Sequence, residues 1–172
     1  MKKLIKPIIV TLVLGVFSYL VYGVFSKIQY KNEVEIALQT MPKFSFKTLD
    51  NTDYTNANLK LNTPTIFIYF NSECDYCQYE AESISEDLNT FKNIQIVFVS
   101  SEPIETIKEF SKRYHLNNHT NITFLHDYAN TFSNRFDAQS VPYILIYDKK
   151  RQLVKRHKGQ LNANSILKAL NN

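Results

Sequence analysis

The stretch Thr65-Ile-Phe-Ile-Tyr-Phe70-Asn-Ser-Glu-Cys74-Asp-Tyr-Cys77-Gln-Tyr-Glu80 decides the fold. Pro64 opens an apolar, β-branched and aromatic run to Phe70 that reads as a buried strand. The chain has two cysteines in all, and both follow this run directly, three positions apart. A strand running into a helix that begins at Cys74 aims unpaired N–H groups and the positive dipole end at one sulfur, which stabilises a thiolate there. One helical turn later, Cys77 falls within disulfide reach, so the pair can cycle between dithiol and disulfide. A structural disulfide framework would need more cysteines at longer spacings. Covalent haem attachment would need histidine after the second cysteine, and Gln78 stands there.

Working outward, the chain alternates strands and helices. Phe44 to Leu49 alternates apolar and polar residues, and Asp50-Asn51 supplies turn chemistry before a second extended piece near Tyr54, so an N-terminal hairpin is expected. After the cysteines, residues 75–90 carry Ala81, Ile84 and Leu88 at helical spacing, and Ile94 to Ser100 reads as a buried strand, completing a βαβ unit. Pro103 starts a helix with Ile104, Ile107, Phe110 and Tyr114 on one face, and a short strand follows from Ile122 to Leu125. Tyr128 to Phe136 suggests a short helix. Tyr143 to Tyr147 and Gln152 to His157 read as strands joined by a turn at 148–151, and Asn162 to Leu170 closes the chain as a helix. Two parallel crossovers followed by a hairpin and a final helix give an α/β fold with a central mixed sheet covered on both faces.

The first 26 residues have a different character. Lys2, Lys3 and Lys6 precede an uncharged stretch from Pro7 to Phe25, close to the ~20 apolar residues that span hydrocarbon. The stretch is longer than the ~7 to 15 residues of a signal peptide's apolar region and lacks a small-x-small cleavage site, so an uncleaved signal anchor is expected. The excess of positive charge before the span places the N-terminus in the cytoplasm and the domain outside it. The organisation is then a transmembrane helix at 1–26, a stalk at 27–41 halted near Pro42, and a domain at 42–172. The net charge of +4 is modest and the lysines are scattered, so no nucleic-acid surface is indicated, and with three glycines the chain is not low-complexity.

The order of hairpin, strand, Cys-x-x-Cys at a helix start, inserted helix and strand, then Val141-Pro142 before a strand resembles the thioredoxin fold. More closely, the chain resembles the membrane-anchored thiol:disulfide oxidoreductases of the TlpA/ResA type, over about residues 42–170. The specific elements are Phe70 to Glu80 and Gln139-Ser-Val-Pro-Tyr143. The resemblance implies that Pro142 is cis and lies against the disulfide, and that Val141 offers its backbone to a substrate strand. Cys74 would be the nucleophile and Cys77 the resolving thiol. Glu80 matches the glutamate of the family's Cys-x-x-Cys-x-x-Glu and could move a proton to or from Cys77. No separate cofactor is implied, since the Cys74–Cys77 disulfide is itself the redox centre. Implied partners are exported disulfide-containing clients, apocytochromes and copper-site proteins among them, and a membrane thiol carrier as electron donor.

The chain also departs from the thioredoxin pattern. Glu73 replaces the tryptophan before the first cysteine, Asp75 adds a carboxylate inside the motif, and the strand Thr65 to Phe70 lacks a buried carboxylate. Both acidic neighbours oppose a thiolate on Cys74, so a more reducing couple than that of a strong oxidant is expected. Two other chemistries fit less well. A copper chaperone of the Sco type would bind Cu(I) through both cysteines and His126 or His157, but that type carries Cys-x-x-x-Cys. A peroxiredoxin-type peroxidase wants Pro-x-x-x-Thr-x-x-Cys, which the residues before Cys74 do not supply. The pair His115 and His119 is read as a polar loop feature, and Tyr76 and Tyr79 as packing or docking residues.

Overall fold

A computed structural model describes residues 2–170, with the side chains of residues 2–11 and 13 outside the description. The chain divides into two compact units, Met1–Ala37 and Leu38–Asn172. The first is built on the helix α1 (Lys2–Gln39), which runs on without a break into the expected stalk at 27–41. Part of the expected span lies outside the described side chains. Among the described residues, no helix is long and apolar enough to cross a membrane.

The second unit is a seven-stranded mixed sheet. Its elements in chain order are β1 (Ser45–Thr48), β2 (Asp53–Thr55), β3 (Thr65–Tyr69), α2 (Asp75–Glu86), β4 (Gln95–Ser100), α3 (Ile104–Arg113), β5 (Ile122–His126), α4 (Phe132–Phe136), β6 (Tyr143–Tyr147), β7 (Leu153–Lys158) and α5 (Ala163–Leu170). The strand order is β2-β1-β5-β4-β3-β6-β7, with β3, β4 and β5 parallel and the other neighbours antiparallel. This is the α/β thioredoxin-like arrangement, with the N-terminal hairpin added beyond β5.

Strand β3 lies in the interior of the sheet, paired with β4 on one side and β6 on the other. Its alternate residues face two different cores, as the period of two requires. Ile66 and Ile68, with Phe70 just beyond, pack with Ala81 and Ile84 of α2, Ile107 and Phe110 of α3, and Ile166 of α5. On the opposite face, Phe67 meets Phe44, Phe132, Phe136 and Tyr147, with ring centroids 5.3, 6.3, 5.6 and 6.2 Å away. Short helix α4 covers this second face.

The helix expected from Tyr128 is shorter than its pattern suggested, because the buried carboxylate of Asp127 captures its start. Asp127 accepts hydrogen bonds from the Thr131 N–H (3.0 Å), the Thr131 hydroxyl (3.1 Å) and the Phe132 N–H (2.7 Å), so helical winding begins at Phe132. Similarly, the helix after the cysteines ends at Glu86 and gives way to a 3-10 turn over Leu88–Phe91.

Phe67 is fully buried among four aromatic rings. Phe67→Ala is expected to lower the unfolding free energy by about 3–5 kcal/mol. Leu61→Ala, at a side chain 77% exposed, should change it by less than about 0.5 kcal/mol. Urea unfolding followed by far-ultraviolet circular dichroism measures both.

Candidate functional site

The end of β3 and the start of α2 place the two cysteines. Phe70 continues the sheet through its N–H to the Val99 carbonyl (3.0 Å), and the next three residues turn the chain into the helix. Cys74 is the residue capping α2, with extended backbone angles (φ −85°, ψ 115°), and its carbonyl accepts from the N–H groups of Cys77 (2.9 Å) and Gln78 (3.0 Å). No side chain caps this helix end, at which Cys74 stands. Cys74 is half-buried and Cys77 fully so, and both are free thiols.

The turn itself is held from several sides. Glu102, just past β4, accepts from the Ser72 N–H (2.7 Å) and the Ser72 hydroxyl (2.7 Å), and it also takes the Ser100 hydroxyl (3.0 Å). The Gln78 side-chain amide donates to the Ser72 carbonyl (2.8 Å), and the Asn71 side chain accepts from the Glu73 N–H (3.0 Å). All of the backbone polar groups of Ser72 are therefore engaged, which fixes the approach to Cys74. Sequence reading missed Ser72, Gln78 and Glu102. The available signal was topological: residues just past the carboxyl ends of adjacent parallel strands meet at one end of the sheet.

The segment before β6 closes over this turn. The Val141–Pro142 peptide bond is cis. The Cys74 thiol lies 3.8 Å from the Val141 carbonyl oxygen, in donor position. The Pro142 carbonyl accepts from the Gly159 N–H (2.8 Å), and upstream Asp137 is paired with Arg156 of β7 (3.1 Å), both side chains being largely buried. The proline segment is thus fastened to the neighbouring strand at two points. Val141, Pro142, Cys74 and Cys77, far apart in sequence, form one end of the sheet.

Glu80 is fully buried, one turn beyond Cys77 on the inner face of α2. One carboxylate oxygen accepts from the Leu161 N–H (2.7 Å), and the other has no hydrogen-bond partner among the described residues. Burial pushes its pKa up to about 8, against the lowering effect of the Leu161 bond. Cys77 is raised as well, foremost by burial; the Asn71 backbone bond opposes this, while Cys74 and the nearby Glu80 add to it. Cys77 and Glu80 are consequently a buried pair, both favouring their neutral forms at neutral pH. The Leu161 contact reaches across 81 positions and joins the cysteine helix to the segment entering α5, where Ser83 also accepts from the Ala163 N–H (3.2 Å).

The copper alternative needs histidine together with both cysteines. His126 and His157 are strand residues, paired in register with Lys47 and Ser100 and with Ile144 respectively. Among the described residues, no group of three or more His, Cys, Asp or Glu could hold a metal ion.

No curated protein matches the chain. Solved structures share its fold. A secreted Mycobacterium tuberculosis disulfide oxidoreductase homologous to E. coli DsbE is 19% identical with a TM-score of 0.62, covering 77% of this chain and 95% of its own. The M. tuberculosis DsbF structure, in mixed oxidised and reduced forms, is 22% identical with a TM-score of 0.64, over 77% of this chain and 93% of its own. StoA from Bacillus subtilis is 16% identical with a TM-score of 0.60, over 76% of this chain and 98% of its own. At these identities the likeness is one of fold. The AhpC/TSA family model matches residues 37–157, which run from the end of α1 through the cysteine turn, the cis-proline segment and most of β7, and the chain belongs to the AhpC/TSA family.

Proposed function

We propose that this protein is a membrane-tethered, extracytoplasmic thiol:disulfide oxidoreductase of the TlpA/ResA type, reducing disulfides in exported client proteins. The observation that carries the reading is the arrangement of Cys74. Its thiol sits at an uncapped helix start, half-exposed and against the Val141 carbonyl, with Cys77 buried one turn behind. The tether rests on the sequence alone, namely the uncharged run from Pro7 to Phe25 behind three lysines. The electron donor would be a membrane thiol carrier. The peroxidase reading has less support, because Asn71 stands three residues before Cys74, where a peroxide-binding threonine would be wanted.

The chemistry is two consecutive exchanges. The Cys74 thiolate attacks one sulfur of a client disulfide, forming a mixed disulfide and releasing the other client sulfur as a thiolate that takes up a proton. Cys77, on losing its proton, attacks the Cys74 sulfur, which frees the second client thiolate and leaves the Cys74–Cys77 disulfide. The client gains two electrons and the protein loses them. In this reading Val141, beside the cis proline, pairs its backbone with the client strand.

Glu80 is the group that can take the Cys77 proton. A buried thiol resists ionisation, and the second Glu80 oxygen, which no protein group satisfies, leaves an acceptor site on a carboxyl that titrates near neutrality.

Cys77→Ala should hold clients as mixed disulfides on Cys74, recovered by acid quenching and mass spectrometry, while Cys74→Ala should hold none. Recovery of no adduct with Cys77→Ala would count against the oxidoreductase reading.

Glu80→Gln should slow the second exchange roughly 10²-fold, measured as the decay of a preformed mixed disulfide. In the unaltered protein, that decay should quicken as pH rises through about 8. Stability should move the other way. The folded-state pKa of Glu80 lies above its unfolded value of 4.5, so its contribution is fully present below pH 4.5 and is lost as pH rises through about 8. The urea midpoint of the unaltered protein should therefore fall relative to that of Glu80→Gln between pH 5 and pH 9.

A further inference from the structure

The surface bordering Cys74 differs in charge from the rest of the chain. Although the net charge is +4, the 31 residues between Lys60 and Lys92 contain six acidic residues and no lysine or arginine. Glu80 is the one of the six that is buried. Glu73, Asp75, Glu82, Glu86 and Asp87 are all exposed, and among the described residues none of them forms an ion pair.

Helical spacing lines these charges up. With 100° per residue, Asp75, Tyr79, Glu82 and Glu86 fall on one narrow stripe of α2, opposite Cys77, Ala81 and Ile84, which face the core. Tyr79 is 58% exposed within the stripe, and Tyr76, beside its first turn, is 63% exposed. Two large aromatic rings in water, interleaved with unpaired carboxylates and leading to the half-exposed Cys74, form a surface complementary to cations. Carboxylates attract lysine and arginine at long range, and the face of a tyrosine ring holds either side chain at contact.

We propose that the outer face of α2 is a docking surface for basic polypeptide segments, so that the preferred clients carry lysine or arginine beside the disulfide to be reduced. The proposal rests on the oxidoreductase reading. The incoming cationic segment lies along Asp75, Tyr79 and Glu82 and delivers its disulfide to Cys74. The exchanges are those already described, with the client reduced and the Cys74–Cys77 pair oxidised. Charge complementarity of this kind acts mainly on the rate of encounter and is screened by salt.

The test uses the full chain, reduced beforehand, and two synthetic disulfide-linked peptides that differ only in whether lysine or glutamate flanks the cysteines. Peptide thiols are separated and counted after acid quenching. Each rate is divided by the same protein's rate with hydroxyethyl disulfide, which is uncharged, so that changes in the cysteines themselves cancel. The lysine peptide should be reduced about tenfold faster than the glutamate peptide at 20 mM salt, with the ratio falling toward one at 0.5 M. In Glu82→Lys/Glu86→Lys, whose substitutions lie one to two turns beyond the cysteine pair, the low-salt ratio should drop to one or below. Equal rates for the two peptides, or a ratio unmoved by those substitutions, with hydroxyethyl disulfide still reduced, would overturn the docking surface alone. Failure to reduce any of the three disulfides would overturn the oxidoreductase reading and the docking surface with it.

Discussion

Everything at the site depends on β3 being held on four sides at once. Its backbone is hydrogen-bonded to β4 and β6, and its side chains divide between the aliphatic core under α2, α3 and α5 and the aromatic core under α4. A strand so confined cannot slip by one residue without turning Ile66 and Ile68 into the wrong core. The position of Phe70 is thereby set, and four residues later the position of Cys74. The cis-proline segment is set by the same strand, because β6, which it precedes, is the antiparallel neighbour of β3. The Cys74 sulfur and the carbonyl that faces it are two consequences of one packing constraint.

Much of this arrangement was legible in the sequence, and the reason is local. The apolar run before Cys74 and the three-residue spacing to Cys77 each carry their meaning within a few residues, whereas the cis bond before Pro142 was implied only by the family resemblance. The crossover helices announced themselves through apolar spacing, and the N-terminal hairpin through alternation and turn chemistry. What sequence could not disclose were side-chain to backbone bonds made across the fold. Asp127 shortens a helix by capturing two N–H groups, which periodicity does not record. Glu102 meets Ser72 from 30 positions away, and Glu80 meets Leu161 from 81. In each case a carboxylate replaces water for a specific N–H group, and only the folded chain says which one.

The site also separates its acidic groups by environment. Glu80 is sealed beneath the helix with one unsatisfied oxygen, where burial favours its neutral form, whereas the carboxylates on the outer face of the same helix are solvated. One helix therefore carries a buried carboxyl that can exchange protons near neutral pH and, on its outer face, carboxylates in water. The distinction follows from a rotation of about 120–160° about the helix axis.

The sheet has two outermost strands, and neither invites another strand. β2 is three residues long, and β7 carries Lys155, Arg156, His157 and Lys158 in succession. Short and positively charged edges discourage the open-ended strand pairing through which partly unfolded chains aggregate. A chain with the proposed activity must touch extended, unpaired client backbone without being drawn into a shared sheet. The proposed contacts, at the end of the sheet and along the outer face of α2, leave both edge strands out of the exchange.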